Sequence, residues 1–153
     1  GILKGLSPRQ NRHIPPLKYD YVYKLKKDFP ELEIVINGGI KNLDESKKHL
    51  DQVDGVMIGR SAYENPFMLK DVENRIFDEI SHIDSKKEIL NKYLDYVEIK
   101  VNEGHNLPKM LKHLFGLSRG DKNAKIFRLK IIEAMKENTI EPFRDDLNNL
   151  LVY

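Results

Sequence analysis

Glu33-Ile34-Val35-Ile36-Asn37-Gly38-Gly39-Ile40 and, about twenty residues later, Asp54-Gly55-Val56-Met57-Ile58-Gly59-Arg60 decide how the rest of the chain is read. Each is a short β-branched run that breaks at glycine, the pattern of a strand buried on both faces and running straight into a turn. Between them Asn42, with Glu45 three residues on, makes a capping box for a helix through Leu50. Strand, helix and strand in so short a span form a βαβ unit, a parallel pair with a right-handed crossover. Ligands of such units sit at the carboxyl ends of the strands, which here carry Asn37, Gly38 and Gly39 and then Gly59 and Arg60. Glycine lets the backbone approach a ligand, N–H groups at a helix start attract an anion, and the guanidinium fork suits phosphate. The pattern reads as a phosphate grip. The plainer alternative is a tight turn at Gly38-Gly39 with Arg60 capping a helix or pairing with an acidic neighbour. Two such turns on adjacent strands favour the grip, because the last two βα loops of a (β/α)8 barrel recurrently hold phosphate.

With 153 residues the chain has room for one domain, or for a small domain and part of another. A hydrophobic share of 40% and a charged share of 33% fit a soluble globular protein, and no run is long and apolar enough to span a membrane. The sequence contains no cysteine, which excludes disulfides, thiolate metal sites and a thiol acid from its own residues and fits a cytoplasmic location. His13, His49, His82, His105 and His113 lack metal-ligand spacing, so no metal is expected. No Walker motif or nucleophile elbow is present, and the acidic pairs Asp44-Glu45 and Asp145-Asp146 fall at helix starts, where the helix dipole accounts for them. The net charge of +2 conceals an asymmetry: residues 1–27 hold seven Lys/Arg against one acidic residue, and residues 107–130 repeat that ratio. Two basic segments in an otherwise acidic chain suggest a polyanion footprint, with a solvated charged face as the cheaper explanation.

Residues 5–18 read as a long loop, since Ser7-Pro8 and Pro15-Pro16 oppose helix. On it Arg9, Asn11 and Arg12 suit phosphate or base edges, or simply surface solvation. A helix over Tyr19–Asp28 follows, with Val22 and Leu25 expected inward. Two strands with their helices cannot cover a sheet, and a barrel needs eight such units and roughly 250 residues. Residues 1–72 are therefore expected to be the closing two βα units of a TIM (β/α)8 barrel, and the chain a fragment. Beyond this the period becomes 3.6. A helix over 85–103 with Leu90, Leu94 and Val97 on one stripe ends at Gly104, and a second opens at Leu107-Pro108 and closes at Gly116. A third is expected to be capped by Asp121 and to bury Phe127, Ile131 and Met135, and a last one starts near Pro142 and packs Leu147, Leu150 and Leu151. Residues 73–153 are thus expected to form a helical bundle, giving the class α/β plus all-α. Lys122, Lys125 and Arg128 recur every three residues, Lys109 and Lys112 do so on the helix before, and Arg119 lies on the turn between. Together they make either a docking face for a phosphate backbone or a solvated face.

Leu3-Lys4-Gly5-Leu6-Ser7-Pro8-Arg9-Gln10-Asn11-Arg12, Ile14-Pro15-Pro16-Leu17, Ile36-Asn37-Gly38-Gly39-Ile40, Asp54 to Arg60, Asn65-Pro66 and Met110-Leu111 to Gly116-Leu117 closely resemble the tRNA-dihydrouridine synthases of the bacterial A type. The similarity runs essentially end to end and corresponds to the C-terminal half of such an enzyme. It implies an FMN-dependent flavoprotein with an N-terminal TIM barrel and a C-terminal helical tRNA-binding domain, a monomer when intact. In that family NADPH reduces the flavin, a hydride passes to C6 of a flipped-out uracil in the tRNA D-loop, and a cysteine is the general acid at C5. Carried over, Asn37, Gly38, Gly39, Gly59 and Arg60 match FMN phosphate-binding positions. Arg9 and Arg12, with Asn11 between them, match the loop that approaches the tRNA, and Lys125 and Arg128 match basic positions of the helical domain. The cysteine acid and the flavin contacts placed earlier in the barrel are absent, so no catalytic residue is expected here. The resemblance implies that this chain alone is inactive and that a missing N-terminal barrel half completes it. Two other readings stay open: another phosphate-gripping barrel, such as a flavin oxidoreductase or isomerase acting on a small phosphorylated metabolite, and a non-enzymatic RNA-binding module with vestigial βα units.

Overall fold

Asn42 and Glu45 begin α3 (Leu43–Leu50) as a capping box: Asn42 Oδ1 accepts from the Glu45 N–H at 2.8 Å, and the Glu45 carboxylate accepts from the Lys41 N–H at 2.8 Å. In the computed structural model the described residues are 4, 5, 7–13, 16–80 and 85–145, with the side chains of residues 11–13, 142 and 145 excepted. Their contacts divide the chain into two units, Gly1–Ile58 and Gly59–Tyr153.

The first unit contains α1 (Pro8–His13), α2 (Tyr19–Asp28), β1 (Val35–Asn37), α3 and β2 (Gly55–Met57). Strands β1 and β2 pair in parallel, with Val35 opposite Gly55, Ile36 opposite Val56 and Asn37 opposite Met57. Ile36, Ile40 and Val53 form the core, and Tyr19, Val22, Tyr23 and Ile34 pack on it. Lys26 ties this unit together. Its Nζ donates to the carbonyls of Pro30 and Leu32, both at 2.8 Å, and pairs with Asp54 Oδ2 at 2.8 Å, while that oxygen also accepts from the Ile34 N–H at 2.8 Å.

Three expectations change here. The strands are not buried on both faces: Ile36 is 1% exposed, but Val35 and Met57 are 56% and 47% exposed. Leu25 is not inward, being 45% exposed, because the core meets α2 through Tyr19, Val22 and Tyr23. Residues 8–13 are a helix instead of a loop. Gln10 N–H donates to Ser7 Oγ at 3.3 Å and Ser7 N–H to Gln10 Oε1 at 2.8 Å, a reciprocal cap with proline at the first helical position, where it favours helix.

The second unit opens with α4 (Arg60–Glu64), a 3-10 turn over Pro66–Asp71 and α5 (Val72–Ile76). There follow α6 (Lys86–Asn102), α7 (Leu107–Leu111) with a 3-10 turn over Lys112–Gly116, α8 (Ala124–Glu137) and α9 (Glu141–Asp145). Ser85 caps α6 through the Glu88 N–H, and Asn138 in the left-handed region closes α8. Leu90, Leu94 and Val97 of α6 and Phe127 and Ile131 of α8 are sealed from solvent, and Phe143 of α9 meets the Phe127 ring edge-on at 5.4 Å. Arg144 forks between Asp95 at 3.0 Å and Glu98 at 2.9 Å, pinning α9 to α6. Asp121 does not cap α8. Its carboxylate is taken by Lys86 at 2.6 Å, and Asn123 stands at the cap position. Leu147, Leu150 and Leu151 lie outside the described residues.

Gly116 lies against the backbone at the end of α4. A Cβ there would meet the Tyr63 carbonyl oxygen at 2.6 Å, the Glu64 carbonyl oxygen at 2.9 Å and Pro66 Cδ at 2.9 Å. The residue therefore does more than stop a helix: it lets backbone lie on backbone.

Candidate functional site

At the end of β1 the chain leaves Asn37, exposed, into Gly38 and Gly39 with φ +127° and +67°. Both values lie in the left-handed region that L side chains avoid, so glycine is required for this turn. Tyr19 holds it, its hydroxyl donating to the Gly38 carbonyl at 2.5 Å. Leu17 covers it: its Cδ1 would lie 2.7 Å from a Cβ on Gly39. Behind Tyr19 stands His49, with ring centroids 4.6 Å apart and the rings edge to face, and His49 Nδ1 lies 2.6 Å from the Tyr23 hydroxyl. Burial raises the Tyr19 phenol above its ordinary pKa, with Glu45 and Tyr23 adding to the rise, so the hydroxyl stays a donor to Gly38. Nothing in the sequence reading singled out Tyr19; its helical spacing gives no hint of a bond to a turn nineteen residues on.

β2 ends at Met57, and two residues later Gly59 occupies the cap position of α4, whose first residue is Arg60. The Gly59 carbonyl accepts from the Tyr63 N–H at 3.2 Å, and both Gly59 and Arg60 are exposed.

Of the basic residues, Arg9 is exposed on α1; Asn11 and Arg12 share that helix, but their side chains lie outside the described residues. In the second unit Lys125 and Arg128 are exposed one turn apart on α8, whereas Lys122 falls in the turn before the helix. Among the described residues, the side chains of Lys109, Lys112, Lys122, Lys125 and Arg128 make no hydrogen bond or ion pair. Arg119 differs. Its Nη1 pairs with Glu64 Oε2 at 3.0 Å across to the end of α4. A cleft of about 440 Å³ opens there, lined by Tyr63, Glu64, Phe115, Gly116, Arg119 and Arg128. Of these lining residues the sequence pattern had marked Phe115, Gly116, Arg119 and Arg128; Tyr63 and Glu64 carry no motif that would have drawn attention.

The class these features define is a mostly helical α/β chain with a two-stranded parallel sheet, consistent with part of a barrel, and with a set of cations in its helical unit that have no partner among the described residues. Comparison with known proteins narrows the class. The family described as Dihydrouridine synthase (Dus) matches residues 2–150. A tRNA-dihydrouridine(20/20a) synthase of Pseudomonas putida is 44% identical over 141 residues, 92% of this chain and 42% of the relative. The synthase of that name from Synechocystis is 46% identical over 126 residues, 82% of this chain and 38% of the relative. That of Pseudomonas aeruginosa is 41% identical over 143 residues, 94% of this chain and 43% of the relative. The chain thus spans about two-fifths of the length of these curated relatives. This chain belongs to the dihydrouridine synthase family.

Proposed function

We propose that this chain is part of an FMN- and NADPH-dependent tRNA-dihydrouridine synthase that reduces uridines of the tRNA D-loop in the cytoplasm. The observation that carries the reading is the turn at Gly38-Gly39, positive in φ at both residues and set directly after a parallel strand, in a chain whose relatives bear that enzyme's name. Residue by residue, the chemistry of these positions suits a flavin phosphate. Asn37 offers an exposed side-chain amide, the glycine turn offers N–H groups that no Cβ screens, and Gly59-Arg60 follows the neighbouring strand with a helix start and a guanidinium. On this reading Asn37, Gly38, Gly39, Gly59 and Arg60 hold the phosphate, and Tyr19 keeps the first turn in shape. A bound flavin supplies hydride transfer from NADPH to the uracil. Val35 and Met57 are exposed on one face of the sheet, and on this reading they are side chains that a closed barrel would bury in its interior. By function the boundary then falls near residue 72, with residues 73–153 as the helical bundle that binds tRNA.

Arg9, Asn11, Arg12, Lys125 and Arg128 are assigned to the tRNA. Extruding a base costs a few kcal/mol, which phosphate contacts outside the pocket offset. Having no cysteine, the chain lacks the acid that the resemblance places at C5, and by itself it is expected to form no dihydrouridine. No helix among the described residues is long and apolar enough to cross a membrane.

The test uses the full-length protein that carries this chain. Purified, it retains flavin and forms dihydrouridine in a tRNA transcript with NADPH. Arg60→Gln weakens flavin binding by roughly tenfold or more, the loss of a charged hydrogen bond. A full-length protein that holds no flavin, leaves tRNA unmodified and still binds it would overturn the assignment in favour of a binding module.

A further inference from the structure

We propose that the cleft between the end of α4 and the Phe115–Arg119 segment seats one nucleotide of the bound RNA, its base against Tyr63 and its phosphate against Arg128. The inference rests on the RNA-binding reading above and adds a subsite to it.

The cleft's volume, about 440 Å³, lies within the roughly 300–1,000 Å³ of small-ligand pockets and leaves room for a single nucleotide. Its two sides differ chemically. Tyr63 is 56% exposed although it is a large aromatic, and its ring is braced edge-on by His113 at 5.7 Å, with the hydroxyl 3.2 Å from His113 Nδ1. A braced, exposed ring at the mouth of a pocket is a stacking platform, and bases of any identity stack on such rings. Glu64 and Arg119 are already paired at 3.0 Å, so they present a carboxylate acceptor beside a guanidinium donor. That edge complements an uncharged base, which carries donors and acceptors side by side, and it repels a phosphate placed next to Glu64. Arg128 is the lining cation with no partner among the described residues, and it is where a phosphate belongs.

The charge beyond the cleft selects a strand over a free nucleotide. Lys125 stands one turn from Arg128 and Lys122 precedes the helix, both partnerless among the described residues. A run of cations leading away from a one-nucleotide pocket suits a polymer of phosphates.

The test uses the full-length protein that carries this chain, with oligouridylate and a tRNA transcript as probes. Irradiated 4-thiouridine-substituted oligouridylate is expected to crosslink to peptides containing Tyr63 or Phe115. Tyr63→Leu lowers oligouridylate affinity roughly fivefold or more with an unchanged salt slope, and Tyr63→Phe retains it. Arg128→Gln and Lys125→Gln each lower the slope of log K against log salt by about one. Crosslinks that map only elsewhere, together with wild-type affinity in Tyr63→Leu, overturn the subsite while Lys125→Gln still reports RNA binding. A raised KM for NADPH in Tyr63→Leu with RNA affinity unchanged overturns it in favour of the free nucleotide. Absence of any salt-dependent RNA binding by the wild type removes the underlying reading instead. Should Tyr63→Leu fail to fold, the crosslink map on the wild type decides the subsite.

Discussion

Lys86 Nζ lies 2.6 Å from Asp121 Oδ1, with the two side chains 7% and 15% exposed, so the N-terminus of α6 is bolted to the turn ahead of α8 by a shielded ion pair. The same ammonium donates to the Arg119 carbonyl at 3.2 Å and stands 5.3 Å from the Phe67 ring centroid. One cation therefore fixes the turn from which Arg119 reaches Glu64.

Removing one partner of such a pair leaves the other charge stranded, and here Asp121 Oδ2 already has no hydrogen-bond partner among the described residues. Lys86→Met is expected to cost about 3–5 kcal/mol in urea unfolding, and Lys86→Met with Asp121→Leu to recover most of it. A single variant as stable as the wild type would show that the pair carries no structural role.

Acid should loosen the first unit through Asp54. A hydrogen bond from Lys26, then one from the Ile34 N–H, holds its carboxyl below the ordinary pKa. A carboxyl depressed in the folded state contributes in full above its unfolded pKa, about 3.9, and loses that contribution as pH falls through the lower folded value. Asp54→Asn is expected to lower the melting temperature at neutral pH and to flatten the decline below about pH 4, by less than one proton in slope. Parallel acid limbs for the two proteins would refute the linkage.

Gly116→Ala places a methyl group against two carbonyl oxygens and a proline ring, none of which is the loose end of a flexible side chain. Overpacking of this kind costs about 1–3 kcal/mol. Thermal melting should show the loss, and crosslinking at Tyr63 should fall with it because the end of α4 is displaced.

The elements legible in the sequence were those written in local chemistry. Asn42 and Glu45 announce α3, and the spacing of Leu90, Leu94 and Val97 marks the buried face of α6. Ser7-Pro8-Arg9-Gln10 carried the same kind of signal, yet its proline outweighed it in the reading; a proline at the first helical position supports a helix. What stayed hidden was set by partners far along the chain. Asp121 looks like a cap until Lys86, thirty-five residues earlier, claims it. Leu25 looks inward by spacing, but the three-residue strands offer it too little sheet to cover. The Gly38-Gly39 turn was legible as a turn, while Tyr19, which holds it, was not.

The contact of α4 with Gly116 also has a meaning during synthesis. Residues 60–64 are too few to stay helical alone, since an isolated helix of that length does not repay its nucleation. At about 5–20 residues per second, Gly116 is made several seconds after Glu64. Until then the carbonyls of Tyr63 and Glu64 have no surface to rest on. Arg60 acquires its place at the start of a helix only when the ribosome has delivered a residue more than fifty positions downstream.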